Sequence, residues 1–349
     1  MKVSKSVFGK MPDGMVVYLY TLHNDNGVEV GIINYGAIIT SVITPDKHGN
    51  FENIVCGFNK LEHYLSDQYL AGYPYFGCIC GRIANRIENG KFKLEQKEFQ
   101  LAINNGPNHL HGGLVGFDRR YWQAQAMVEE EKVGVLLSYF SPDGEENYPG
   151  NLNVSCLYSL NNANELMIDY FAHTDQETII NLTNHSYFNL TGGKENILNH
   201  VLSIAANCIT ESVDLIPTGR IIPITDTIFD FMDFKRIGKD IGELETGYDL
   251  NYVLDNDEED FVYAACLKEC NSGRQVEVFT TQPGIQLYTG YWIPELELDG
   301  EKRFGKYSGV ALETQHYPDA INHPQFPQVI LQPGEKYQQS TVYRFGLIG

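Results

Sequence analysis

The sequence is short of cations: 25 lysines and arginines stand against 45 aspartates and glutamates, a formal net charge of −20. The average field of such a chain repels phosphate backbones and anionic lipid, so no nucleic acid and no membrane partner is expected and a neutral small molecule is favoured. Arg119 and Arg120 are adjacent, and Arg82 and Arg86 lie four apart, but no stripe of basic and aromatic residues forms. Long apolar runs are missing too. No stretch approaches the ~18 residues of a membrane span, and Met1 to Lys10 has neither an apolar core nor a small-residue cleavage site, so a cytoplasmic protein is expected. Cysteines number seven, an odd count set mostly in apolar runs, which argues against a disulfide framework. Cys78-Ile-Cys80 and Cys266-Leu-Lys-Glu-Cys270 lack the paired two-residue spacings of a zinc site, and neither a metal nor another cofactor is expected.

What the chain has is aromatic residues, 22 Tyr and 18 Phe, within a hydrophobic content of 43%. That is enough for a large core and favours strands over helices. Period-two alternation recurs: Val154, Cys156, Tyr158 and Leu160 point one way, as do Leu166, Ile168 and Tyr170 after the turn at 161–164, which reads as a hairpin. Phe92 and Leu94 with Phe99 and Leu101 repeat the plan, and Val276, Val278, Tyr337, Tyr343 and Phe345 fit it. Turn dipeptides such as Asn26-Gly27, Asn89-Gly90 and Asp143-Gly144 are dense, which points to an all-β sandwich or barrel. Helical periodicity is confined to two short candidates, 59–67 and 234–244. The acidic run 255–260 reads as a solvated hairpin tip. No linker or repeat divides the 349 residues, so one domain over 1–349 is expected.

Few residues stand out as chemical candidates. On a strand His109 and His111 would share a face, where two imidazoles can grip a metal, contact a substrate or serve structure. Asp249 reads as a turn residue or as one carboxyl of a glycosidase pair with Glu313. Gln282-Pro-Gly284 reads as a turn with the glutamine free to point elsewhere. Arg86 pairs with Glu88 in one reading and offers its planar fork of donors to a sugar hydroxyl in another. His185 lies in Asn181-Leu-Thr-Asn-His-Ser-Tyr-Phe-Asn-Leu190, and Glu313 follows the apolar Val310-Ala-Leu312. There an ionised carboxylate is costly unless paired, hydrogen-bonded or facing a cleft.

Together these segments resemble the aldose 1-epimerase (galactose mutarotase) family. The matching stretches are 34–37, 81–86, 110–113, 116–118, 143–146, 148–150, 181–190, 216–219, 229–231, 247–249, 281–284, 312–315 and 318–320, in the family's order. The resemblance implies a large antiparallel β-supersandwich with few short helices, an open sugar cleft, and interconversion of the α and β anomers of galactose or glucose by a monomer or homodimer. It assigns Glu313 as general base and His185 as general acid, and places His111, Asn85, Arg86, Tyr187, Asp249 and Gln282 against the sugar. On that assignment Glu313 is ionised and His185 protonated, which gives a bell-shaped pH dependence. Two positions depart from the family pattern: Asn147 stands where glycine is usual, in a turn asparagine can adopt. Leu250 follows Asp249 where histidine is common.

Overall fold

A computed structural model describes residues 1–255 and 261–349, apart from the side chains of Glu301 and Lys302. Most of the acidic run therefore lies outside the described residues. Three sheets carry the architecture, and every strand pair in them is antiparallel. A nine-stranded sheet runs in the order Gln123–Val128, Lys132–Ser141, Leu152–Asn161, Glu165–Thr174, Tyr337–Leu347, Arg274–Thr280, Val262–Lys268, Val201–Ile204, Lys235–Arg236. A six-stranded sheet runs Tyr187–Phe188, Val310–Gln315, Gly284–Tyr288, Asp249–Val253, Cys208–Val213, Ile216–Pro223, and a five-stranded sheet gathers residues from Lys2–Lys10 to Phe51–Asn53.

The expected hairpin forms in register, with Cys156 opposite Tyr170, Tyr158 opposite Ile168 and Leu160 opposite Leu166, all buried. Their faces join Val276, Val278, Tyr343 and Phe345 in one apolar cluster, which also takes Val310, Leu312, Ile285, Leu287, Leu250 and Tyr252 from the six-stranded sheet. Because side chains alternate along a strand, burying these residues between the two sheets turns their neighbours to the opposite face. Ala311, Glu313 and Gln315 thus share that face with Gln286 and Tyr288, and with Asp249 and Asn251. Leu250 is part of the core, so its departure from the family pattern removes nothing from the face that carries Asp249.

Two expectations need correction. Helix in 59–67 reduces to Leu61–Tyr64, followed by Asp67–Gly72 capped by Ser66, whose hydroxyl accepts from Tyr69 N–H. In 234–244 there is no α-helix: Lys235–Arg236 pairs with Val201 and Leu202 at the sheet edge, and only Ile241–Glu243 forms a 3-10 turn. Sheet pairing overrides helix propensity there. The glycine-like turn at Asn147 does form, with φ +70°, and its side chain donates to Gln100 O.

Candidate active site

The register of the six-stranded sheet sets the site. Asn251 lies opposite Gln286, and Gln286 opposite Glu313, so these three form one row across three strands. The next row is Asp249, Tyr288, Ala311 and Tyr187. Above this face sit loops from elsewhere in the chain. His185 follows the strand Thr183–Asn184; its N–H donates to Cys78 O (2.9 Å) and its carbonyl accepts from Gly77 N–H (3.0 Å).

His185 Nε2 is 3.5 Å from Glu313 Oε1, and both side chains are buried. Aromatic rings wall the imidazole: Tyr187 at 4.8 Å between centroids, Tyr75 at 6.0 Å and nearly parallel, Tyr288 at 6.3 Å edge-on. Burial acts oppositely on the two members because it disfavours whichever form is charged. It holds His185 down at about 3. Glu313 is pushed well above the usual carboxylate range by burial first and by the Asp249 charge second, with Arg86 offsetting part of it. Burial therefore works against the expected charged carboxylate and protonated imidazole on both members of the pair.

His111 does not share a strand face with His109. Its φ of +48° turns it out of the short strand His109–Leu110. His109 is structural, with Nδ1 on Ala102 O (2.8 Å) and Nε2 on the Tyr148 hydroxyl (2.6 Å). His111 lies 5.3 Å from the His185 ring, edge to face. Asn85 N–H donates to His111 Nδ1 (3.1 Å), while His111 N–H donates to Asn85 O (3.0 Å). Gly112 makes this approach possible: at φ +90°, a Cβ there would sit 1.7 Å from Gly81 O.

His111, His185 and Glu313 also offer ligand atoms that all lie within 4.8 Å, the only group of this kind among the described residues. The chemistry of the donors does not suit a cation. Nδ1 of His111 already accepts the Asn85 N–H, so the neutral ring carries its proton on Nε2 and presents a donor where a metal needs a lone pair. Burial together with the neighbouring His185 and Arg86 keeps that ring neutral, well below its ordinary pKa.

Arg86 pairs with Asp249 (Nη1 to Oδ2, 3.9 Å) and donates from Nε to Asn105 Oδ1 (3.0 Å). Among the described residues it makes no ion pair with Glu88. Asp249 is a strand residue rather than a turn residue and accepts from Gln286 Nε2 at 2.6 Å. Gln282 precedes the strand Gly284–Tyr288 that carries Gln286 and Tyr288. It is fully buried with Oε1 on His316 Nδ1 (2.8 Å), and Gly284 opens a strand instead of taking the positive φ of a turn glycine. Gln286, Tyr288 and Tyr75 are the neighbours that sequence reasoning missed. Alternation from Gly284 flags the first two; nothing local flags Tyr75, whose φ of +59° depends on distant packing.

A profile of the family described as aldose 1-epimerase matches residues 18–344. The chain belongs to the aldose 1-epimerase family. It is 43% identical to the galactose mutarotase of Bos taurus and 42% identical to that of Homo sapiens, covering 99% of this chain and 99% of each relative. The aldose 1-epimerase of Escherichia coli strain K12 is 33% identical over 96% of both chains. The solved galactose 1-epimerase from Lactobacillus acidophilus superposes with a TM-score of 0.85 at 29% identity, covering 100% of this chain and 99% of that one. An aldose epimerase homologue from C. elegans gives 0.84 at 29% identity, covering 95% and 99%. The antiparallel supersandwich expected from the sequence is the fold these neighbours share, and the family makes this chain an epimerase. No helix among the described residues is long and apolar enough to cross a membrane.

Proposed function

We propose that the protein interconverts the α and β anomers of a neutral aldose, galactose or glucose, with Glu313 and His185 as its proton-transfer pair. The observation that carries this reading is the buried 3.5 Å contact between the two groups, set among donors and acceptors suited to sugar hydroxyls. Glu313 takes the proton of the C1 hydroxyl while His185 gives one to the ring oxygen, and the ring opens. Rotation about C1–C2 presents the other carbonyl face, and reversed transfers close it to the opposite anomer. Each transfer is worth about 10²–10⁴ in rate.

The carboxyl–imidazole and carboxylate–imidazolium forms carry the same number of protons. Moving the proton across the pair converts one to the other, and the nearby Arg86 guanidinium favours the form with Glu313 charged. His111 Nε2–H, Arg86, Asn85, Asp249 and Gln286 supply the surrounding hydrogen bonds, while Tyr187 packs on His185. Gln282 holds His316 through its Oε1.

Polarimetry on fresh α-galactose, α-glucose, arabinose and glucose 6-phosphate, with release from an aryl galactoside as a control, tests the reading. Accelerated interconversion of the neutral sugars without aryl release supports it. Aryl release, or binding without acceleration, overturns it.

A further inference from the structure

Beside Glu313, the site face carries two buried amides that the proposed chemistry does not use. Asn251 is 2% exposed and Gln315 is fully buried, yet neither the nitrogen nor the oxygen of either side chain has a hydrogen-bond partner among the described residues. Gln286 Oε1 and Glu313 Oε2 are in the same state. These six atoms belong to one patch. Gln286 stands between Asn251 and Glu313 in the row, and Gln315 is two residues from Glu313 on the same face. Gly284, opposite Gln315, leaves room for the patch: a Cβ there would lie 2.6 Å from Asn251 Oδ1 and 3.1 Å from the Tyr317 ring.

Leaving one buried amide atom unpaired costs about 1–3 kcal/mol. The unmatched set contains both N–H donors and carbonyl or carboxyl acceptors, so an ion of either sign satisfies only part of it. A hydroxyl satisfies both kinds, because each is donor and acceptor at once.

We propose that Asn251 and Gln315, above Gly284, form a pocket for an ordered water, and that this water donates to Glu313 Oε2. The inference rests on the reading of Glu313 as the base. The pocket fixes the carboxylate so that Oε1 faces His185, and it favours the charged form that burial opposes. The other titratable or charged groups near Glu313 are His185, His111, Arg86, Asp249, Tyr187, Tyr288, Cys78 and Cys80, with Tyr343 on the core side, and none of them touches Oε2 within hydrogen-bond distance. Asn251 and Gln315 are positioning residues in this scheme, acting through water on the carboxylate.

A high-resolution crystal structure of the wild-type protein, with and without soaked galactose, decides occupancy independently of any activity. Ordered water within about 3.2 Å of both amides and of Glu313 Oε2, in both crystals, is the expected result. Direct pairing of the two amides in a dry pocket, or a sugar hydroxyl in place of the water, overturns it. Kinetics give the second arm. Gln315→Met should lower kcat about tenfold with KM within about twofold, as expected for one lost charge-assisted hydrogen bond. It should also move the alkaline limb of the pH profile upward. An unchanged limb, or a rise in KM alone, contradicts the water's role. Failure of the wild-type protein to interconvert anomers would instead refute the functional reading while leaving the crystallographic result standing.

Discussion

Arg82 and Arg86 stand four residues apart in one motif and live in opposite circumstances. Arg82 is 2% exposed, and all three of its guanidinium nitrogens are engaged: with the Ser141 hydroxyl and carbonyl, the Pro142 and Pro149 carbonyls, and the Thr178 hydroxyl. Among the described residues Arg86 makes one side-chain hydrogen bond and a loose 3.9 Å pairing, which leaves donors for a ligand. The same contrast separates the Arg82 guanidinium from the site face, where Glu313, Gln286, Asn251, Gln315 and His185 each carry a buried atom unpartnered among the described residues. Saturated polar groups fasten the loops; unsaturated ones are where a ligand's hydroxyls can bind.

The contrast breaks most severely at the catalytic pair. Glu313→Gln should keep the fold and lose about 10²–10⁴ in the polarimetric rate. Arg82→Met should instead cost at least about 3 kcal/mol of stability in denaturant titration, because several buried carbonyls and hydroxyls lose a charged donor together. Arg86→Ala should leave stability within about 0.5 kcal/mol and raise KM, showing that its donors serve the sugar.

pH sharpens the comparison further. The competent pair holds one proton, so activity should fall on the acid side as His185 takes a second, near its lowered value of about 3. On the alkaline side it should fall as the pair loses its proton through the raised Glu313 value. A kcat/KM profile checks this, and acid loss already at an ordinary histidine pKa would contradict it. Stability carries the same signature. With its folded pKa raised, Glu313 costs stability as pH climbs from the ordinary carboxylate value through the folded one. Glu313→Gln should therefore melt above the wild type at pH 8, with the difference gone by pH 4. His185 acts with the opposite sign: its lowered folded value removes stability as pH falls from 6.5 toward about 3.

How much of this was legible in sequence varies by residue. Period-two patterning exposes the hairpin at 152–174 because one face of each strand is core. Glu313 is visible because a carboxylate after Val310-Ala-Leu312 demands a reason. His111 and Asn85 were found through the resemblance, but their positive φ values and reciprocal bonding were not, since backbone strain of this kind is imposed by the loops packed around them. Gln282 is placed against the sugar by the resemblance, and beside Pro-Gly it looks free, whereas Gln286 carries no such local signal. The register that sets Gln286 between Asn251 and Glu313, with its amide donating to Asp249, exists only after three strands from distant parts of the chain have paired.

The most direct test of the pair as a single proton-sharing unit is a double-mutant cycle in polarimetry on α-galactose. His185→Asn, Glu313→Gln and the double variant should retain nearly the same residual rate, because removing either group disables both. Losses that multiply in the double variant, or either single variant near the wild-type rate, would contradict the account.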